Sequence, residues 1–151
     1  MDSLTPEKRS WNMSRIKAKD TKIEIRLRKA LWHEGIRYRK NYTALPGKPD
    51  IAITKHRIAV FCDSGFWHGR DYERGRKPRT NTEYWDKKIR RNMERDREVE
   101  RLLKAMDWTA LRFWDKDIEK NLDGCVHAVK EAIFEAEVTG KEPIDYGEAE
   151  D

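Results

Sequence analysis

Apolar residues recur at helical spacing in four parts of the chain. In the second of these, Thr21 and Glu24 have the spacing of a capping box, and Gly35 stands where a helix would end. The fourth is weakened at Gly124, because glycine lowers helix propensity. The predicted helices cover residues 6–16, 21–34, 82–106 and 117–138.

Shorter stretches have the patterns of strands. Residues 36–41 alternate between apolar and polar, as a half-buried strand does. Two further strands are joined tightly at residues 55–56, and the loop before them contains Pro46, Gly47 and Pro49. The predicted strands cover residues 36–41, 50–54, 57–63 and 108–114. The order α-α-β-β-β-α-β-α predicts a single-domain α/β fold with a mixed sheet flanked by helices.

Charge divides the chain into a basic body and an acidic tail. Charged residues make up 40% of the sequence, and the formal net charge is +5. Residues 139–151 carry a net charge of −4, so residues 1–138 carry +9. We expect the tail to be disordered and the body to bind a polyanion such as nucleic acid. A solvated charged surface is the alternative.

Cysteine use and hydropathy favour a cytoplasmic protein. Cys62 and Cys125 lie far apart and form no CxxC pair. The longest apolar run, residues 58–62, is far shorter than the ~20 residues of a membrane span. The polar N-terminus does not have the pattern of a signal peptide. We expect a reduced, cytoplasmic protein with no membrane partner.

Two acids stand at strand ends in the predicted hairpin. Asp50 begins one strand and Asp63 ends the next, so both carboxylates can converge on one point. Magnesium needs only one or two carboxylates because it keeps much of its water. Such an ion would orient a phosphodiester and activate water. The alternative is that both acids are merely solvated.

A loop and a helix add further candidates. Phe66, Trp67 and His68 follow the apolar strand; the two rings either wedge into a base stack or plug the core edge. On the long helix, Asn92 and Asp96 interrupt an apolar stripe. Asp96 either pairs with a neighbouring arginine or orients His68 for proton transfer.

Glu24 and Trp85 are open to two interpretations each. Glu24 is either an ordinary surface acid that caps its helix or a member of the acidic cluster, reached through a water. Trp85 lies near the apolar stripe of the long helix, as a core residue or as a base-stacking ring.

Four motifs together resemble those of the very short patch repair endonucleases, the Vsr mismatch nickases, and the match runs over residues 11–114. The motifs are LPGKPD at residues 45–50, FWHG at 66–69, TEYW at 82–85 and N-x-E-R-D at 92–96. The resemblance implies an endonuclease domain over residues 1–138, with residues 1–19 as a DNA-contacting arm. It also implies a restriction-endonuclease-like fold related to the PD-(D/E)XK nucleases.

The resemblance further implies magnesium-dependent nicking of double-stranded DNA beside a T:G mismatch, by a nucleoid-associated monomer. Asp50 is similar to the central metal ligand and Cys62 to the residue whose backbone carbonyl binds the metal. His68 resembles the general base, Asp96 its partner, and Glu24 the acid that supports the hydrogen bonds of the site.

The resemblance implies DNA contacts from the N-terminal arm, the FWHG motif and the long helix. Phe66 and Trp67 resemble rings that enter the base stack, and Met13 a residue that wedges from the other groove. The long helix supplies the remaining DNA-binding candidates: Trp85, Lys88, Asn92 and Arg95.

The chain departs from the family pattern at two positions. Gly65 stands where many members have a cysteine ligand for a structural zinc, so we expect no zinc. Asp63 stands where some members have histidine, and it offers an additional metal ligand. Two alternatives remain: a restriction or defence nuclease that cuts matched duplex as a dimer, and a basic DNA-binding module without catalysis.

Overall fold

The computed structural model describes residues 21–65 and 82–147. Within these ranges the chain forms a four-stranded sheet with helices on both faces, which confirms the predicted α/β class. The elements are α1 (Lys22–His33), β1 (Arg39–Lys40), β2 (Ile51–Ile53), β3 (Ile58–Asp63), α2 (Thr82–Ala105), β4 (Thr109–Trp114), α3 (Asp115–Lys120) and α4 (Leu122–Val138). The predicted helix over residues 6–16 lies outside the described residues.

The sheet combines antiparallel and parallel pairing in the order β1-β2-β3-β4. β1, β2 and β3 are antiparallel neighbours, whereas β3 and β4 run parallel over their whole length, from Ile58 opposite Thr109 to Asp63 opposite Trp114. A parallel pair needs a long crossover. The chain segment that contains α2 makes this crossover.

Both faces of the sheet are buried, each against its own helices. Because successive residues of a strand point to opposite faces, β2 and β3 supply two separate cores. On one face, Ile51, Val60 and Leu27 pack with α3 and α4. On the other face, Ala59 and Phe61 pack against Leu103 and other residues of α2.

Helix α1 begins and ends as its sequence predicts. The Thr21 hydroxyl accepts a hydrogen bond from the backbone N–H of Glu24 at 3.4 Å. Gly35 adopts φ = 83° after the helix, and its N–H donates to the carbonyl of Trp32. This left-handed conformation costs glycine little.

The prediction of a single helix over residues 117–138 was wrong in two respects: the helical region begins earlier, and it is divided into two helices. The chain forms α3 and α4, which are separated at Asn121 with φ = −140° and ψ = 56°. The Asn121 side chain accepts a hydrogen bond from the Gly124 N–H at 3.2 Å, so it caps α4. A Cβ at Gly124 would lie only 2.4 Å from the Asn121 side chain, so a larger residue there would displace the capping side chain.

Part of the acidic tail packs on the body, where the sequence predicted disorder. The N–H of Ile144 donates to the carbonyl of Thr54, beside the end of β2. Asp145 pairs with Arg39 at 2.7 Å and accepts a hydrogen bond from the Tyr42 hydroxyl. Residues 144 and 145 of the tail therefore have specific partners on the body.

None of the helices in residues 21–65 and 82–147 is long and apolar enough to cross a membrane.

Candidate active site

Asp50 lies immediately before β2, and its neighbours fix both its backbone and its side chain. Its carbonyl accepts a hydrogen bond from Asn41 at 2.9 Å, and the preceding Pro49 carbonyl accepts one from Tyr42. The Asp50 Oδ2 atom accepts a hydrogen bond from the backbone N–H of Cys62 at 2.7 Å. The pairing of β2 with β3 thus brings the Asp50 side chain next to the backbone of Cys62.

The surroundings of Asp50 disfavour its negative charge. Burial raises its pKa, the Cys62 N–H lowers it, and the carboxylates of Glu24 and Asp63 raise it again; the net result is a pKa of about 6. Arg28 lowers it only in part. Among residues 21–65 and 82–147, negative charge therefore outweighs positive charge around the Asp50 carboxylate, which already accepts one hydrogen bond.

Glu24 is a buried member of this site. Its residue is only 3% exposed, which excludes the interpretation as an ordinary surface acid. Its Oε2 atom forms an ion pair with Arg28 Nη2 at 3.0 Å, one helical turn further along α1. Arg28 also donates to the Asn41 side chain at 3.3 Å, next to Asp50. This pair fixes the α1 side of the site.

The thiol of Cys62 is unsuited to act as a thiolate ligand. Burial raises its pKa well above the ordinary value, and Asp50, Glu24 and Asp63 raise it further. It therefore stays protonated at neutral pH. The contact of Cys62 with Asp50 is made by its backbone N–H and not by its thiol.

Asp63, the last residue of β3, faces a guanidinium. Its Oδ2 atom forms a hydrogen-bonded ion pair with Arg112 Nη1, and the residue is 5% exposed. Arg112 thus occupies the Asp63 carboxylate, which we predicted as an additional metal ligand. Sequence reasoning missed Arg112. The signal was a single charged residue within the otherwise uncharged strand residues 109–114.

The interrupted stripe on α2 faces the sheet. Ile89, Val99 and Leu103 are buried, and Asn92 and Asp96 are half-buried between them. Asp96 Oδ1 lies 3.6 Å from Arg112 Nη1. The expectation that Asp96 pairs with an arginine is confirmed in part, although this arginine comes from β4 and not from its own helix.

The first turns of α2 form a basic and aromatic surface. Tyr84 and Trp85 are in edge-to-face contact with ring centroids 5.0 Å apart. Lys88 Nζ lies 5.8 Å from the Trp85 ring, and both Lys88 and Arg95 are exposed. Aromatic faces next to cations suit nucleic-acid binding.

Four predicted site residues lie outside residues 21–65 and 82–147: Met13, Phe66, Trp67 and His68. Among the residues that the structure describes, no group of three or more His, Cys, Asp or Glu side chains is arranged to hold a metal ion. A cation at Asp50 would therefore need other oxygen ligands in addition to the described side chains.

Comparison with known proteins gives consistent matches. A family model for the DNA mismatch endonuclease Vsr matches residues 1–74. The chain is 47% identical over 134 residues to the Type II nicking enzyme V.NmeDIP of Neisseria meningitidis serogroup C, covering 88% of this chain and 90% of that protein. It is 42% identical to the Type II nicking enzyme V.HpaIIP of Haemophilus parainfluenzae, covering 89% and 97%.

A third relative carries the family name. The DNA mismatch endonuclease Vsr of Escherichia coli K12 is 37% identical over 107 residues, which cover 71% of this chain and 69% of that protein. Identity at this level over such lengths, combined with the family match over the segment that contains Glu24, Asp50, Cys62 and Asp63, shows that the chain belongs to the DNA mismatch endonuclease Vsr family.

Proposed function

We propose that this protein nicks one strand of double-stranded DNA beside a T:G mismatch, using magnesium held at Asp50. The observation that carries the proposal is the Asp50 carboxylate, which is largely buried, held by the Cys62 N–H and crowded by other acids. The relatives, which are Type II nicking enzymes and a DNA mismatch endonuclease, support DNA nicking as the reaction.

The residues around Asp50 fit a divalent cation. A cation there would stabilise the ionised form of Asp50, whose pKa is raised by burial and then by the charges of Glu24 and Asp63. The Cys62 carbonyl points to the same side of β3 as its N–H, as in any strand, so it faces toward Asp50. One carboxylate and one carbonyl leave room for water and a DNA phosphate, the ligand set that magnesium prefers.

The proton chemistry is assigned to His68 and Asp96. A bound metal ion polarises the phosphodiester and lowers the pKa of the attacking water. His68 would take the proton of that water, and Asp96 would hold the imidazole in the required tautomer. Asp96 lies next to Arg112, which pairs with Asp63 at the end of β3. The FWHG motif begins three residues after Asp63 in the sequence, and this short separation supports the role of Asp96.

DNA binding is assigned to the basic body and the aromatic residues. The charge of +9 on residues 1–138 suits a duplex, and Lys88 and Arg95 are exposed on α2 for phosphate contacts. Phe66, Trp67 and Met13 would enter the stack at the mismatch, where unstacking costs least. We propose that a monomer performs this reaction, since nicking requires only one active site.

The test is a panel of duplexes that carry T:G, other mismatches or only matched pairs, with each strand labelled separately, in the presence of magnesium. Nicking confined to one strand of the T:G duplex is the expected result. The Asp50→Asn variant is the control: it should bind the duplex but leave it intact.

Two results would overturn the proposal in different ways. Cutting of both strands of matched duplex would indicate a restriction or defence nuclease. Salt-sensitive binding without any cleavage, by the wild-type protein with magnesium, would indicate a DNA-binding module.

A further inference from the structure

Arg112 is the centre of a charged network at the end of β3. Its Nη1 atom forms the ion pair with Asp63 and lies 3.6 Å from Asp96 Oδ1, while its Nε atom donates to Glu100 Oε1 at 3.2 Å. The guanidinium also lies over the Phe61 ring, 4.6 Å from the centroid. Arg112 thus joins β3, β4 and α2 through one side chain.

The network is largely removed from solvent. The Arg112 side chain is 15% exposed and the Asp63 side chain 6%, so neither charge is well hydrated. A charge buried to this extent is stable only with a partner of opposite sign and good geometry. A planar guanidinium with several donors satisfies more than one carboxylate at once, which an ammonium group does poorly.

The position of this network matters for the metal site. Asp63 follows directly after Cys62, and its charge acts on Asp50. Without Arg112, the Asp63 carboxylate would become a second candidate ligand for a cation bound at Asp50. With Arg112, the Asp63 carboxylate is committed to a guanidinium while Asp50 is held by a backbone N–H.

We propose that Arg112 is a positioning residue for DNA cleavage, because it keeps the Asp63 carboxylate out of the coordination sphere of the metal. It also holds Asp96 of α2 beside the same strand end. The inference rests on the proposed metal site at Asp50, and it assigns Asp63 and Arg112 roles that the motifs do not indicate.

The first experiment measures metal binding directly and needs no turnover. Binding of Mn²⁺, as a substitute for Mg²⁺, is measured by calorimetry on the full chain carrying Asp50→Asn or Asp63→Asn. Asp50→Asn should weaken binding by more than about a hundredfold, whereas Asp63→Asn should change it by less than about threefold, since only the former removes a ligand. The asparagine at position 63 can still accept a hydrogen bond from Arg112.

The two possible failures are distinct. If Asp50→Asn binds Mn²⁺ as the wild type does, the proposed metal site is wrong. If both variants lose binding to the same extent, the metal site stands, but Asp63 is a ligand and the role of Arg112 is overturned.

The second experiment tests the pair as a unit. Arg112→Met replaces the guanidinium over the Phe61 ring by an uncharged side chain and removes the ion pair with Asp63. It should tighten Mn²⁺ binding and slow single-turnover cleavage by about 10–100-fold. Combining it with Asp63→Asn should return the Mn²⁺ affinity and the cleavage rate to within about threefold of the wild type, because no carboxylate then remains at position 63.

A matched control separates this role from a general loss of structure. Arg101→Met removes an exposed arginine of α2, 75% exposed at its side chain, and should change neither quantity. If the double variant is as slow as Arg112→Met and Mn²⁺ affinity never changes, Arg112 has only a structural role.

Discussion

Replacing Asp50 by asparagine should abolish cleavage and, without metal, make the protein more stable. The pKa of Asp50 is about 6 in the folded protein, against 3.8 for a free aspartate. Folding therefore favours the protonated form, so the contribution of this group to stability is greatest below about pH 4 and is lost as the pH rises to about 6. At about pH 7.5 the ionised Asp50 carboxylate lowers the free energy of unfolding by about 3 kcal/mol.

Asparagine avoids this cost because it is uncharged, and its side-chain oxygen still accepts the hydrogen bond from Cys62. In EDTA, the free energy of unfolding of Asp50→Asn should exceed that of the wild type by about 3 kcal/mol at about pH 7.5 and by less than about 1 kcal/mol at about pH 4. For a domain of this size each kcal/mol corresponds to about 2–4 °C in Tm.

Urea unfolding across this pH range measures the difference, and saturating magnesium should then stabilise only the wild type. Asp123→Asn is the matched control. It neutralises an exposed aspartate in the first turn of α4, so it should lower stability by at most about 1 kcal/mol. The reasoning is refuted if Asp50→Asn is no more stable than the wild type in EDTA, or if the difference does not shrink toward acid pH.

Three further predictions concern the loop and the turn before Asp50. His68→Ala should slow cleavage by about 10²–10⁴, measured in single turnovers; an unchanged rate removes His68 from the mechanism. Replacing both Phe66 and Trp67 by alanine should reduce the preference for T:G over matched duplex more than it reduces the general affinity for DNA. Equal losses on all duplexes would contradict the proposal that these rings enter the base stack. Gly47→Ala should destabilise by about 3 kcal/mol in urea, because φ is +75° and the new Cβ would lie 2.5 Å from a valine methyl. Gly140→Ala, with φ of +70° and nothing within 4 Å, should cost only about 1 kcal/mol, and equal losses would exclude the clash.

The elements of this protein were predictable because they depend on local patterns. Apolar spacing gave α1 and α2 nearly to the residue, and the turn residues before Asp50 placed that acid at the start of a strand. The tight connection between β2 and β3 then required Asp50 and Cys62 to meet, since antiparallel neighbours joined by a short turn have little freedom of register.

The break between α3 and α4 was not predictable in the same way. Asn121 caps α4 through Gly124, and helical spacing on both sides of it conceals the interruption. Local hydrogen bonding by an asparagine competes with helix continuation, and the outcome depends on how α3 and α4 pack against α1.

The sequence by itself determined the fold class, the family and the position of Asp50, because periodicity, turn residues and motif order are properties of neighbouring residues. Only the tertiary structure decided that Glu24 is buried and that Asp63 pairs with Arg112, 49 residues further along the chain. The parallel pairing of β3 with β4 creates that contact, and nothing in the local pattern of either strand states which strand will lie beside it. The cost of burying an unpaired charge then selects the partner.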